Sequence, residues 1–349
     1  MRAKMLGAAA VSAALLATGC AATPSPDVAD GVVTLKLAES FPAGHPFAEA
    51  GAEFFMARAT ELSGGAVQFD YFPAEQLGKA ADLLSLTRSG VADIAMVAPA
   101  YVPAELPLSG VADLPGWTDQ SCTSSPAVAS MMAEDGVLFA EDFAPKQVRP
   151  LAVGVIPGYE VFSGDRVVRT PEEMRGLQLR SSGGAIDRTV RALGAAPVAM
   201  PATDMYEAIS RGTVDGTALA LMSAQPYRLD EVSRGATDGA GLGSWTATYS
   251  ISERIWRQLP AEIRDVLGRA GQETTRNLCS AIDERNRVAK AEMTEGGLRF
   301  HEVSGAQQRS WAAAIEEVPE QWARDMAEIG RSGERALRDY AAALARAER

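Results

Sequence analysis

The sequence predicts an α/β protein of two similar lobes bridged by one long helix. Three observations predict it. Residues 32–97 alternate strand, helix, strand, helix, strand. A second αβ run covers 170–217. An unbroken helical stripe over 260–293 is longer than one small lobe needs. With 349 residues and 47% hydrophobic content, the chain can fill two cores.

The first run opens with VVTLKLA (32–38), a strand. Residues 47–62 carry apolar side chains at helical spacing and stop at Ser63-Gly64-Gly65. Val67, Phe69 and Tyr71 alternate as a strand. A helix over 79–88 ends at Gly90, and ADIAMV (92–97) is the next strand. This order implies parallel strands with right-handed crossovers.

In the second run, Thr170-Pro171-Glu172-Glu173 reads as a capping box, with Thr170 as N-cap and Glu173 at N3. The strand 177–180 follows, then a helix over 185–193, a short strand over 196–200 and a helix over 203–210. RSGVADIA (88–95) and SRGTVDGT (210–217) both set a Gly-capped helix end just before an Asp at a strand start. The recurrence suggests that the lobes are copies of one plan, with Asp93 and Asp215 as strand-edge caps. The 260–293 helix, at 1.5 Å per residue, reaches roughly 50 Å, enough to run along both lobes. A strand over 298–303 and amphipathic helices to residue 349 finish the chain.

The N-terminus reads as an export signal. Arg2 and Lys4 precede an apolar stretch, 5–17, too short for a confident membrane span. It closes on small residues before Cys20, the pattern of a bacterial lipoprotein signal in which Cys20 is lipidated; an ordinary signal cut near Ala22 is the alternative. Residues 1–19 are then signal and 20–31 a flexible tether. Net charge is −12, and −14 without the first nineteen residues, which argues against nucleic acid and anionic lipid surfaces as partners. With Cys20 set aside, Cys122 and Cys279 remain in an oxidising compartment, where a disulfide is expected and two separate buried thiols are the alternative.

Catalysis finds little support. His45 and His301 are far apart, no Cys/His cluster has metal spacing, and neither a nucleophile elbow nor a phosphate loop occurs. GAGLG (239–243) lacks dinucleotide spacing, and His45, in Gly44-His45-Pro46, reads as a loop or cap residue. No cofactor or metal is expected. Arg180 is the odd residue: a cation at the carboxyl end of a buried strand, where α/β sheets bind ligands and where a guanidinium can take a carboxylate with two hydrogen bonds. A structural ion pair is its other reading.

Five segments carry a resemblance. LKLAESFPAGHPF (35–47), YFPAEQLGKAADLLSLTRSGVADIAMVAPAYV (71–102), TPEEMRGLQLRSSG (170–183), LGAAPVAMPATDMYEAISRGTVDGTA (193–218) and ERIWRQLPAEIRDVL (253–267) follow, in order, the motifs of solute-binding receptors of tripartite ATP-independent periplasmic (TRAP) transporters, the DctP type. The chain resembles that family over 32–345. The resemblance implies the two-lobed periplasmic binding protein fold, each lobe a mixed or parallel sheet with flanking helices. Lobe I would comprise 32–157 plus 245–284, and lobe II 158–244 plus 285–349. It also implies closure around a small organic acid, with delivery to the permease subunits of the transporter in the membrane. A sensory protein of the same fold that acts on a receptor kinase is the alternative.

In the family the Arg that ends the G-L-K-I-R strand binds the ligand carboxylate, and Arg180 holds that position. Leu219 stands where members often carry a ligand-holding Asn. Glu160 stands where some carry a second Arg, and Ala202 replaces a common aromatic. With the second clamp missing, the implied ligand is a monocarboxylate with an apolar body, or one that also bears a cation or hydroxyl. Glu39, Tyr101, Trp245, Glu160 and Leu219 are the other candidate wall residues. Glu39 could instead pair with a neighbouring Arg, Glu160 with Arg166 or Arg169, and the two aromatics could be core.

Overall fold

Twelve strands and twelve α-helices organise the residues described by a computed structural model, 27–29 and 31–348. Cys20, the signal and most of the tether lie outside the described residues. The strands are β1 (Asp27–Ala29), β2 (Val32–Ala38), β3 (Val67–Phe72), β4 (Ile94–Val97), β5 (Val148–Ile156), β6 (Tyr159–Ser163), β7 (Gln178–Ser181), β8 (Ala196–Ala199), β9 (Gly216–Ala220), β10 (Gly235–Asp238), β11 (Trp245–Ser252) and β12 (Arg299–Glu302). The helices are α1 (Phe54–Leu62), α2 (Leu83–Ser89), α3 (Ser121–Met131), α4 (Gly184–Ala192), α5 (Met205–Ser210), α6 (Leu221–Ala224), α7 (Leu229–Val232), α8 (Glu253–Gln258), α9 (Ala261–Glu295), α10 (Ala306–Ile315), α11 (Val318–Glu328) and α12 (Gly333–Ala347).

The first lobe's sheet runs β1-β2-β4-β11-β5, with β3 also on β2. The second runs β12-β10-β6-β9-β7-β8. Both are mixed. The strands of each αβ run are parallel, as β2 is to β3 and β4, and β7 to β8 and β9. The strands that carry the chain between lobes enter antiparallel: β11 against β4 and β5, β6 against β9 and β10. The αβ runs are parallel as expected, and the crossing strands make each sheet mixed. The two crossings, β5 to β6 and β10 to β11, lie side by side. The Tyr159 N–H donates to the Gly243 carbonyl and the Leu242 N–H to the Tyr159 carbonyl.

Asp93 and Asp215 perform one task twice. The Lys36 N–H donates to the Asp93 carboxylate at 2.8 Å while the Asp93 N–H donates to the Lys36 carbonyl. The Gln178 N–H donates to Asp215 at 2.7 Å, and the Asp215 N–H to the Gln178 carbonyl. Each acid locks the start of the third strand of its run onto the first.

Helix α9, 35 residues and about 52 Å long, lies along both lobes. It packs on α1, α3 and β5 in the first and on α6 in the second. Gly271 permits its contact with β5: a Cβ there would sit 2.0 Å from the Leu151 carbonyl oxygen. The Cys122–Cys279 disulfide joins α3 to α9, and the Ser121 and Cys122 N–H groups donate to Asp283 of the same helix.

Three expectations change. Residues 27–29 of the tether form β1, paired antiparallel with 32–34. The capping box is a single tight turn, 171–174, and Glu173 accepts from the Arg169 N–H instead of that of Thr170. α12 packs on α3, with the Tyr340 ring edge-on to Trp117, so the last helix lies on lobe I whereas the chain from 285 on was assigned to lobe II.

Candidate ligand site between the lobes

The carboxyl ends of β2, β4, β7 and β9 face one another across the crossings. Arg180, third residue of β7, is only 1% exposed. Its Nε donates to the Met200 carbonyl at 3.0 Å and its Nη1 to the Ala218 carbonyl at 3.4 Å. It also hydrogen-bonds the Tyr101 hydroxyl. No carboxylate pairs with it among the described residues, and it is the only buried Lys or Arg there. Ser182, just past the end of β7, has a buried and unpartnered hydroxyl.

The first lobe answers with rings. Phe41 stacks on His45 at 4.1 Å and on Phe47 at 4.8 Å. Trp245, at the start of β11, stands edge-on to Phe41 and Phe47 and 5.7 Å from Tyr101. Tyr159 and Tyr227 complete the group from the second lobe; Tyr227 lies 5.8 Å from His45. Burial raises the pKa values of Tyr101, Tyr159 and Tyr227, and the nearby Arg180 charge opposes the rise. All three are therefore neutral phenols near neutral pH.

Two cross-lobe hydrogen bonds close the arrangement. The Tyr101 hydroxyl accepts from the Ala202 N–H at 3.3 Å, and His45 Nε2 meets the Ser223 hydroxyl at 3.3 Å. His45 Nδ1 accepts from the Phe47 N–H, which puts the ring proton on Nε2. Burial and then the Arg285 charge depress the imidazole to about 3, so it is neutral. Gly183, at φ 91°, makes the closest approach: a Cβ there would lie 2.6 Å from the Ala100 carbonyl oxygen.

The two acids are engaged elsewhere. Glu39 accepts from the Tyr71 hydroxyl, and from the Tyr249 hydroxyl at 2.8 Å. Glu160 accepts from Thr237 Oγ1 at 2.5 Å and from the Gly239 and Ala240 N–H groups, so GAGLG wraps its carboxylate. Neither pairs with an Arg. Burial raises both to about 7, against the lowering effect of these hydrogen bonds. Leu219, opposite Glu160 in the β6–β9 register, is buried. Of the candidate wall residues, the structure groups Tyr101 and Trp245 with Arg180. Phe41, His45, Ser182, Ser223 and Tyr227 were missed, because an aromatic in a loop carries no periodic signal; only the Phe41–Phe47 cluster after β2 could have pointed to them. An open groove of about 870 Å³ between Arg211, Asp215, Asp230 and Arg299 lies at the far end of lobe II and is lined by no aromatic side chain.

The model of bacterial extracellular solute-binding protein family 7 matches residues 37–325. The chain belongs to that family. The C4-dicarboxylate-binding periplasmic protein DctP of Rhodobacter capsulatus is 26% identical over 278 residues, 78% of this chain and 81% of that one. Among solved structures, the fold matches a TRAP solute-binding protein of Rhodoferax ferrireducens in complex with copurified benzoate, with a TM-score of 0.84 and 23% identity over 91% of this chain and 99% of that one. It also matches one from Bordetella bronchiseptica with bound (R)- and (S)-mandelate, at 0.82 and 24% over 90% and 99%. This chain is thus a solute-binding protein of the DctP family.

Proposed function

We propose that this protein is a periplasmic receptor that closes on an aromatic monocarboxylate and delivers it to the permease subunits of a TRAP transporter. One observation carries the reading: a buried guanidinium without a carboxylate partner among the described residues, set against a wall of aromatic rings. Burying a charge is costly unless it is paired. A ligand carboxylate supplies the pair, with the Ser182 hydroxyl as a further donor, and the rings of Phe41, Tyr101 and Trp245 receive the apolar body. Because Arg180 is the only buried Lys or Arg among the described residues, one carboxylate is neutralised and a second is not. That weighs against the dicarboxylate in the name of the R. capsulatus relative and agrees with the single carboxylates of benzoate and mandelate. Glu39, Glu160 and Leu219 build the wall from behind. Cys20, if lipidated, tethers the receptor; mass spectrometry of the N-terminus of membrane-derived protein reads this directly.

Calorimetry against benzoate, mandelate, succinate and glucuronate tests the proposal. Benzoate and mandelate are expected to bind and to stabilise the fold, by about 2.7 kcal/mol at a hundred times the dissociation constant. Tighter binding of succinate than of either aromatic acid would overturn it.

A further inference from the structure

Two buried donors stand in the aromatic wall without acceptors. Trp245 Nε1 is buried and unpartnered, although its ring touches Phe41, Phe47 and Tyr101. The Ser223 hydroxyl has His45 as its one partner among the described residues. Since the Phe47 N–H occupies His45 Nδ1, His45 must donate from Nε2, and Ser223 accepts. The serine's own proton then has nothing to bind. A buried donor left unpaired costs about 1–3 kcal/mol. Phenylalanine and alanine would avoid that cost. Trp117 shows the satisfied case, its Nε1 donating to the Val111 carbonyl at 2.9 Å. Trp311 Nε1 is also unpartnered, but no ring contact joins it to this wall.

We propose that Trp245 and Ser223 are specificity-determining residues that receive an oxygen substituent on the ligand ring, so that the preferred ligand is an aromatic monocarboxylate carrying a hydroxyl or similar acceptor beyond its carboxylate. Arg180 holds one end of such a ligand from lobe II. Tyr101 bridges from Arg180 to Trp245, which places the indole about one ring away from the guanidinium. Ser223, like Arg180, lies on lobe II, whereas Trp245 and the Ser223 partner His45 lie on lobe I, so a substituent that engages both donors also favours the closed form. A site built to hydrogen-bond a polar group rejects the analogue that lacks it, because its own donors then stay unpaired.

The inference rests on the aromatic-acid reading, and the experiment separates the two. Benzoate and its 2-, 3- and 4-hydroxy derivatives are titrated into the native protein, Trp245→Phe and Ser223→Ala. At least one hydroxybenzoate is expected to bind the native protein roughly tenfold or more tightly than benzoate, and that ratio is expected to fall toward one in each variant. If none of the four binds the native protein, the aromatic-acid reading fails and this inference with it. If benzoate binds and no hydroxy derivative exceeds it by threefold, or if the preference survives in both variants, the inference alone is overturned. Should one variant fail to fold, the native ratio and the other variant still decide.

Discussion

The two lobes carry the same frame and opposite chemistry. In each, an Asp before the third strand of the run locks onto the backbone of the first: Asp93 onto Lys36 and Asp215 onto Gln178. Two residues beyond that lock, lobe I has Ala38 and lobe II has Arg180. The equivalent positions thus hold a methyl group and a guanidinium. The segment after the Ala38 strand then supplies Phe41, His45 and Phe47, while the segment after the Arg180 strand is Ser182, Gly183 and the first residue of α4, Gly184. Lobe I provides most of the rings, and lobe II the charge and a close backbone approach. A duplicated scaffold thereby becomes a polar cleft without disturbing either core.

Breaking the unequal positions should affect binding most. Arg180→Ala is expected to weaken a bound aromatic carboxylate by roughly 2–5 kcal/mol, thirty-fold to several thousand-fold, because the ligand anion loses its buried partner. Arg180→Lys should also lose substantially, since an ammonium lacks the two-pronged geometry. Calorimetry reads both; affinity within threefold of native in Arg180→Ala would show that the carboxylate is held elsewhere.

Next come the buried acids behind the wall, where the lobes match again: Glu39 and Glu160 are both raised to about 7 from an ordinary 4.5. Between those values the native protein retains protons that the unfolded chain has released. Each acid therefore subtracts stability as pH rises from about 4.5 to 7, by up to about 3 kcal/mol. Glu160→Gln should remove that dependence. Its stability relative to native should improve steadily between pH 5 and 7.5 in urea unfolding; a constant difference across that range would count against a buried neutral Glu160.

The shared lock predicts unequal effects, because Asp93 is buried and Asp215 exposed. Asp93→Ala leaves a backbone N–H without its acceptor and should cost about 1–3 kcal/mol of stability, and Asp215→Ala less, since water can take the acceptor's place. A larger loss in Asp215→Ala would contradict this. Gly183→Ala should have the smallest effect. The methyl meets the Ala100 carbonyl only when the lobes close, so ligand affinity should fall roughly tenfold beyond any change in folding stability. Small-angle scattering should show the liganded variant more open than native.

Much of the frame was legible because it repeats. The Gly-then-Asp signature at 88–95 and 210–217 marks both locks, and the unbroken stripe of α9 marks the bridge. The crossing strands were harder to read. β5, β6 and β10 are buried along most of their length, so their apolar runs lack alternation, and their antiparallel entry depends on partners distant in sequence. In the site, Arg180 stood out as a charge in an apolar strand. Glu39 and Glu160 looked equally unusual, and only coordinates show Tyr71, Tyr249 and the 237–240 turn already holding them. Ser182 and Ser223 carried no signal, since a serine becomes informative only when its hydroxyl is found buried without a partner.

A crystal structure of the protein with benzoate tests the central claim most directly. The account predicts the ligand carboxylate on the Arg180 guanidinium, with its ring among Phe41, Tyr101 and Trp245 and the lobes closed with Gly183 against Ala100. A carboxylate bound to any other cation, with Arg180 still engaged only by Met200, Ala218 and Tyr101, would contradict it.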